Sequence, residues 1–115
     1  MGKLIILRGN SGSGKTTVAK ALQKKLGRNT MLISQDEVRR NMLWVDDGID
    51  TKALPLMAEL LRYGREHSEF SILEGIMYDE WYRSLFELAN ELYGSNVYAY
   101  YFDLSFEETV RRHNT

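Results

Sequence analysis

The chain consists of two kinds of segment that follow one another in turn. In one kind the hydrophobic and polar residues have a pattern typical of buried strands, and in the other a pattern typical of amphipathic helices. Short apolar runs indicate strands that are covered on both faces. These runs are residues 3–7, 30–34, 70–73 and 97–102. Because the last run is rich in aromatic residues, we expect it to lie in the interior of a sheet.

The segments between these runs repeat their apolar residues at helical spacing. Helices are predicted over residues 17–26, 36–44, 51–66 and 79–93, and a last one begins at a capping box at residues 105–108. Gly27 is a plausible stop for the first helix, and Pro55 falls in the first turn of the third, where a missing N–H costs least. Strands separated by helices predict an α/β fold with a parallel sheet, which binds ligands at the carboxyl ends of its strands.

A glycine-rich segment joins the first strand to the first helix. Its residues, which match the pattern G-x-x-x-x-G-K-[ST] at every fixed position, are Gly9, Asn10, Ser11, Gly12, Ser13, Gly14, Lys15 and Thr16, followed by Thr17. An ordinary Gly/Ser loop is the alternative, but it requires neither the Lys nor the Thr at its place. The pattern therefore predicts a loop that binds phosphate groups.

The chemistry of phosphate binding explains these residue types. Glycines let backbone N–H groups turn inward, and the beginning of a helix adds unsatisfied donors and partial positive charge. Lys15 would reach the β- and γ-phosphates, and the hydroxyl of Thr16 would ligate Mg²⁺. We therefore expect a nucleoside triphosphate and Mg²⁺ as ligands.

Composition narrows the class of protein. The 115 residues, 43% of them hydrophobic and 27% charged, are sufficient for one domain with a core. The net charge of −1 argues against nucleic acid and anionic membranes as partners. The absence of cysteine excludes disulfides and thiolate metal sites, and no run approaches the length of a membrane span. The chain begins directly with a strand, without a signal peptide, so we expect a cytoplasmic protein.

Two charged residues follow the second strand. Asp36 could accept a proton from an acceptor hydroxyl, and Arg39, one helical turn later, could orient that acceptor. The alternative is structural, because Ser34-x-x-Glu37 is itself a capping box and Asp36 would then complement a helix N-terminus. Spacing alone does not separate the two interpretations.

Two further sites are open to both functional and structural interpretation. Glu74 follows the third strand, where it could hold Mg²⁺ or could be a solvated acid at the rim of the sheet. Arg111 and Arg112 lie one turn into the last predicted helix. One of them could face the transferred phosphoryl group, or both could form a basic helix end.

Together these residues resemble P-loop kinases of small hydroxyl-bearing substrates, the group of uridine kinase-like proteins, chloramphenicol phosphotransferase, zeta toxins and polynucleotide kinase. The segments that carry the resemblance are the phosphate loop, Asp36-x-x-Arg39, residues 72–75 and residues 102–112. The resemblance implies a P-loop three-layer sandwich with strand order 2-3-1-4. It also implies an ATP-dependent kinase that uses Mg²⁺ and a small hydroxyl-bearing substrate.

The resemblance also implies roles for individual residues. Asp36 is similar to the family's general base and Arg39 to its acceptor-binding arginine. Thr16 resembles the Mg²⁺ ligand, with Glu74 as a nearby acid that faces metal or substrate. Arg112 resembles the arginine at the base of the lid that contacts the phosphates.

The chain stops where the family continues into a lid and a fifth strand. We therefore expect residues 1–115 to be a single domain and an N-terminal portion of a longer kinase, with the fifth strand absent. The strand left at the edge could pair with a second copy to form a homodimer. Two alternative functions are a 5′-hydroxyl polynucleotide kinase and a nucleotide-dependent switch. The switch would favour Asp-x-x-Gly where this chain has Glu74-Gly75.

Overall fold

The computed structural model describes residues 2–10 and 14–102, which form a parallel sheet with helices on both faces. The strands are β1 (Lys3–Gly9), β2 (Met31–Ser34), β3 (Phe70–Gly75) and β4 (Val97–Phe102). The helices are α1 (Lys15–Leu26), α2 (Gln35–Glu37), which continues as a π-helical turn (Val38–Leu43), α3 (Ala53–His67) and α4 (Asp79–Tyr93). A 3₁₀ turn, Gly94–Asn96, leads into β4.

The strand order is β2-β3-β1-β4, with every neighbouring pair parallel. The α/β class and the order 2-3-1-4 are therefore confirmed. Glu74 of β3 pairs in register with Leu7 of β1 on one side and with Ser34 of β2 on the other. This register aligns the carboxyl ends of β1, β2 and β3 along the same end of the sheet. The candidate residues lie in or directly after these strand ends.

The core lies in two layers, one on each face of the sheet. The larger layer packs β1–β3 against α3 and α4, through residues such as Leu4, Met57 and Leu85. The smaller layer packs the opposite face against α1, through Leu7, Ala19 and Ile72. Within the described residues, no helix is long and apolar enough to cross a membrane.

The fourth strand differs from the expectation that it lies in the interior. Among the described strands β4 is at an edge of the sheet, and Tyr98, Tyr100 and Tyr101 are 45%, 57% and 61% exposed. Aromatic side chains favour any pleated surface, so a strand rich in tyrosine does not by itself reveal whether its faces are covered. Pairing of this edge with a second copy stays a prediction.

The segment after β2 also differs from the single α-helix expected over residues 36–44. After one α-helical turn the backbone becomes π-helical, and it ends at Trp44 in a left-handed conformation with φ of 55°. The third helix begins at Ala53, two residues later than expected, and Pro55 lies in its first turn as predicted. The predicted last helix, with Arg111 and Arg112, lies outside the described residues.

Candidate active site

The phosphate loop joins β1 to α1 as predicted, although the strand ends two residues later and the helix begins two residues earlier than expected. β1 ends at Gly9, and α1 begins at Lys15 after Gly14, whose φ of 90° is left-handed. The Nζ of Lys15 donates a hydrogen bond across the loop to the carbonyl oxygen of Asn10, at 3.2 Å. The centre of the loop, residues 11–13, lies outside the described residues.

Lys15 is a buried cation with two acids near it. Its side chain is almost fully buried, and this burial lowers the pKa of its ammonium group. The negative charges of Glu74 and Asp36 act in the opposite direction and raise that pKa. The structure therefore brings together three side chains that the sequence separates by as many as 59 positions, from Lys15 to Glu74.

Thr16 and Glu74 are in direct contact. The hydroxyl Oγ1 of Thr16 lies 3.3 Å from Oε1 and 3.5 Å from Oε2 of Glu74. The Glu74 side chain is 2% exposed, so the alternative of a solvated acid at the sheet rim is wrong. A hydroxyl oxygen beside a carboxylate is a set of hard donors that fits Mg²⁺. Because the described residues contain no cluster of three acidic or histidine side chains, phosphate and water oxygens would complete such a site.

Asp36 is held by two arginines of its own helical segment. Its Oδ1 lies 3.1 Å from a terminal nitrogen of Arg39 and 2.8 Å from Nε of Arg40. The side chain of Ser34 makes no capping hydrogen bond, so the predicted capping box does not form. Asp36 does lie in the first turn of α2, as the structural alternative predicts. Asp36 is 61% exposed and remains accessible to a substrate.

Thr16, Asp36 and Glu74 face one cleft of about 500 Å³. The remaining lining residues are Lys20, Leu32, Ser34 and Glu37. Lys20 was not among the residues predicted from the sequence. Its position one turn after Thr16 on α1 is the signal that could have identified it, because residues four apart share a helix face.

Arg8 is a second residue that sequence reasoning missed. It donates a hydrogen bond to the carbonyl oxygen of Met77 at 2.5 Å, and its guanidinium lies 4.4 Å from the ring centroid of Phe86. The contacts fix the segment after β3 to the end of β1. A cation at the end of an apolar strand, directly before the phosphate loop, was the available signal.

Of the remaining residues that the sequence assigns to the site, some lie in the described part of the chain and some outside it. Thr17 is exposed on the first turn of α1, and Arg39 is largely buried beside Asp36. Ser11, Gly12, Ser13 and Arg112 lie outside the described residues.

Comparison with known proteins places the chain in a family and supports its fold. A family model described as an AAA domain matches residues 4–115, which is nearly the whole chain. The chain belongs to this AAA domain family. No curated protein matches this AAA domain at a significant level of sequence similarity.

Solved structures share the fold at low sequence identity. A protein of Chloroflexus aurantiacus, described as a possible kinase, is 19% identical with a TM-score of 0.70, over 98% of this chain and 65% of that one. A chain of the Pnkp1/Rnl/Hen1 complex is 23% identical with a TM-score of 0.67, over 96% and 38%. Shikimate kinase of Bacteroides thetaiotaomicron is 21% identical with a TM-score of 0.57, over 97% and 66%.

These likenesses confirm that this AAA domain has a P-loop kinase-like fold. The chain spans less than two thirds of the length of the first two of these structures. At such identities the likeness extends to the fold alone.

Proposed function

We propose that this AAA domain binds ATP with Mg²⁺ and transfers the γ-phosphoryl group to a hydroxyl group of a small molecule. The observation that carries the proposal is the single cleft shared by Thr16, Glu74 and Asp36 at the carboxyl ends of β2 and β3, beside Lys15. A phosphate loop alone supports nucleotide binding. Asp36, an acid in α2 directly after β2 whose charge acts on Lys15, adds a group that can act on an acceptor.

On the nucleotide side, Lys15 and the loop amides bind the β- and γ-phosphates. Thr16 supplies an oxygen donor for Mg²⁺, and Glu74 accepts the hydrogen bond that orients this hydroxyl at the metal site. When bound, Mg²⁺ neutralises charge that develops on the phosphate oxygens. Because Glu74 is buried against Thr16, its carboxylate is held in place before any ligand arrives. Such preorganisation is the main contribution a protein makes to phosphoryl transfer.

On the acceptor side, Asp36 is the general base. Its carboxylate accepts the proton of the acceptor hydroxyl while that oxygen forms a bond to the γ-phosphorus. The bond from phosphorus to the β–γ bridging oxygen breaks in the same displacement, and ADP leaves. Both arginine contacts of Asp36 use Oδ1, which leaves Oδ2 as the oxygen for this proton. Arg39 then orients the acceptor.

A nucleoside, a sugar or an antibiotic fits this class of acceptor. A polynucleotide 5′-hydroxyl is a second candidate, favoured by the similarity to a chain of the Pnkp1/Rnl/Hen1 complex. The net charge of −1 favours the small acceptor, because binding to a nucleic acid strand depends on cations that neutralise its phosphates.

A labelled-ATP assay on the longest natural form tests the proposal. The acceptor panel contains nucleosides, sugars, aminoglycosides, amphenicols and short oligonucleotides, and Lys15→Ala is the inactive reference. Transfer to a small acceptor, lost in Lys15→Ala, is the expected result. Transfer to oligonucleotides alone would favour the second candidate. ATP binding without transfer to any acceptor would contradict the kinase proposal and favour a nucleotide-dependent switch.

A further inference from the structure

A chain of hydrogen bonds crosses the larger core layer beside the candidate site. The hydroxyl of Tyr82 in α4 donates to Oδ1 of Asp47 at 2.6 Å and accepts a bond from Nε2 of Gln35 at 3.0 Å. The Tyr82 side chain is fully buried, and Gln35 is buried as well. We call Gln35, Tyr82 and Asp47 the Tyr82 network.

The Tyr82 network joins three parts of the chain that are far apart in sequence. Gln35 begins α2 and is the residue directly before Asp36. Asp47 belongs to residues 44–52, the connection between the π-helical turn and α3, and its Oδ1 also accepts a bond from the N–H of Gly48 at 3.0 Å. The network thus ties this connection to the segment that carries Asp36.

Packing of the core does not by itself explain the hydroxyl group of Tyr82. A phenylalanine would fill the same space in the core without a polar atom that needs partners. The hydroxyl has both a donor and an acceptor partner, and a carboxylate partner makes the bond to Asp47 one of the stronger kind. Burial, together with the bond to Asp47, raises the pKa of Tyr82 above its usual value, so the hydroxyl keeps its proton.

Short-range hydrogen bonds anchor the two ends of residues 44–52, from the N–H of Val45 to the carbonyl of Arg39 at 2.9 Å and from the hydroxyl of Thr51 to the carbonyl of Asp46 at 2.8 Å. The bond from Tyr82 to Asp47 ties the middle of the connection to α4. Trp44 is 90% exposed and Ile49 is 74% exposed. The connection follows a π-helical turn. This conformation is rare in proteins as a whole, but where it occurs it is often at a functional site. Gln35, the member of the network directly before Asp36 in α2, places the network next to the Asp36–Arg39 pair.

We propose that Tyr82 is a positioning residue that holds residues 44–52 at a fixed place relative to Asp36, so that this connection forms the wall of the acceptor site. The part of the inference that concerns the acceptor rests on the proposed function. The part that concerns the position of residues 44–52 does not.

The test compares Tyr82→Phe with Tyr93→Phe. Tyr93 is a matched control because it also lies in α4, is buried, and donates its hydroxyl hydrogen bond to a distant backbone group, the carbonyl of Leu61, at 2.9 Å. Hydrogen exchange of the amides of residues 46–51 is measured in both variants and in the wild type.

We expect exchange over residues 46–51 to be about tenfold faster in Tyr82→Phe, the size of effect that loss of a hydrogen bond to a charged group allows. Tyr93→Phe should leave this exchange within about twofold of the wild type. For an acceptor found in the panel assay, Tyr82→Phe should raise the KM for the acceptor about tenfold, with the KM for ATP unchanged. If Tyr82→Phe does not fold, Asp47→Ala removes the same contact from the partly exposed side.

The outcomes separate this inference from the proposed function. Equal exchange in the wild type and Tyr82→Phe overturns the positioning role, whatever the activity. Faster exchange with an unchanged KM for the acceptor removes residues 44–52 from the acceptor site. Faster exchange in a protein that phosphorylates no acceptor overturns the proposed function and leaves the structural link between Tyr82 and residues 44–52 in place.

Discussion

Thr16 donates a hydrogen bond to Glu74 across 58 positions of sequence, and this bond joins the first turn of α1 to the end of β3. The carboxylate of Glu74 is buried beside the hydroxyl that the phosphate-loop pattern assigns to Mg²⁺. An acid that orients a metal ligand strengthens metal binding without being exposed to solvent.

Glu74→Gln should therefore weaken the binding of Mg²⁺ specifically. We expect the Mg²⁺ concentration that gives half-maximal nucleotide binding to rise by about 10- to 100-fold, the usual cost of losing a group that supports a metal ligand. Titration with Mg²⁺ at fixed ATP measures this value. Glu59→Gln, which changes an exposed acid of α3 paired with Arg62, is the control and should have no effect. An unchanged Mg²⁺ dependence in Glu74→Gln would remove Glu74 from the metal site.

Nucleotide binding should take up a proton at alkaline pH. Burial lowers the pKa of Lys15 below its usual value in the free protein, and triphosphate charge beside it should raise that pKa in the complex. The affinity should then be constant below the free-state pKa and fall as the pH rises through it. Calorimetry in buffers of different ionisation enthalpy measures the proton uptake.

Two variants isolate the contribution of Lys15 to this uptake. Lys15→Met should abolish nucleotide binding and the proton uptake with it. Lys24→Met, at the exposed end of α1, should leave both unchanged. Proton release at alkaline pH would contradict the assigned direction.

Asp36→Asn should lower the rate of phosphoryl transfer without weakening the binding of ATP. The amide keeps the shape of the side chain but cannot take the acceptor proton, so we expect transfer to fall by about 10²–10⁴-fold while ATP binding persists. Asp79→Asn is a close control, because Asp79 also lies in the first turn of a helix and pairs with an arginine, Arg83, at 3.0 Å. Transfer by Asp36→Asn at the wild-type rate would restrict this acid to a structural role at the start of α2.

Gly75→Ala should destabilise the junction between β3 and α2. Gly75 has a φ of 153°, and an added Cβ would lie 2.6 Å from Cβ of Gln35. Gly27→Ala is the control, because Gly27 has a φ of 107° but no heavy atom within 4 Å of the added Cβ. We expect Gly75→Ala to cost about 1–3 kcal/mol more than Gly27→Ala in the free energy of unfolding, measured by urea denaturation. Equal losses would mean that Gln35 moves aside freely.

The secondary structure was predictable wherever one local pattern decided it. Residues 79–93 carry a regular apolar face, and α4 forms over the same residues. Gly27 ends α1 as expected, with its N–H bonded to the carbonyl of Gln23 at 3.0 Å. The π-helical turn Val38–Leu43 escaped prediction, because its apolar spacing does not differ from that of an α-helix over so short a segment.

The candidate site was predictable in part. Lys15, Thr16 and Asp36 were identified because each stands at a fixed distance from glycines or from the end of a strand. The sequence left Glu74 open between an acid that holds Mg²⁺ and a solvated acid at the rim of the sheet. Only the contact with Thr16 resolves this, because burial depends on what packs against a side chain.

The sequence by itself determined the phosphate loop, the alternation of strands and helices, and the parallel sheet that follows from it. These properties depend on residues that are close together in the chain, where spacing and residue type limit the backbone. The tertiary structure alone decided that the tyrosines of β4 are exposed, that Glu74 is buried, and that Tyr82 joins Gln35 to Asp47. Each of these depends on contacts between residues that are distant in sequence, which only the packing of the helices on the sheet brings together.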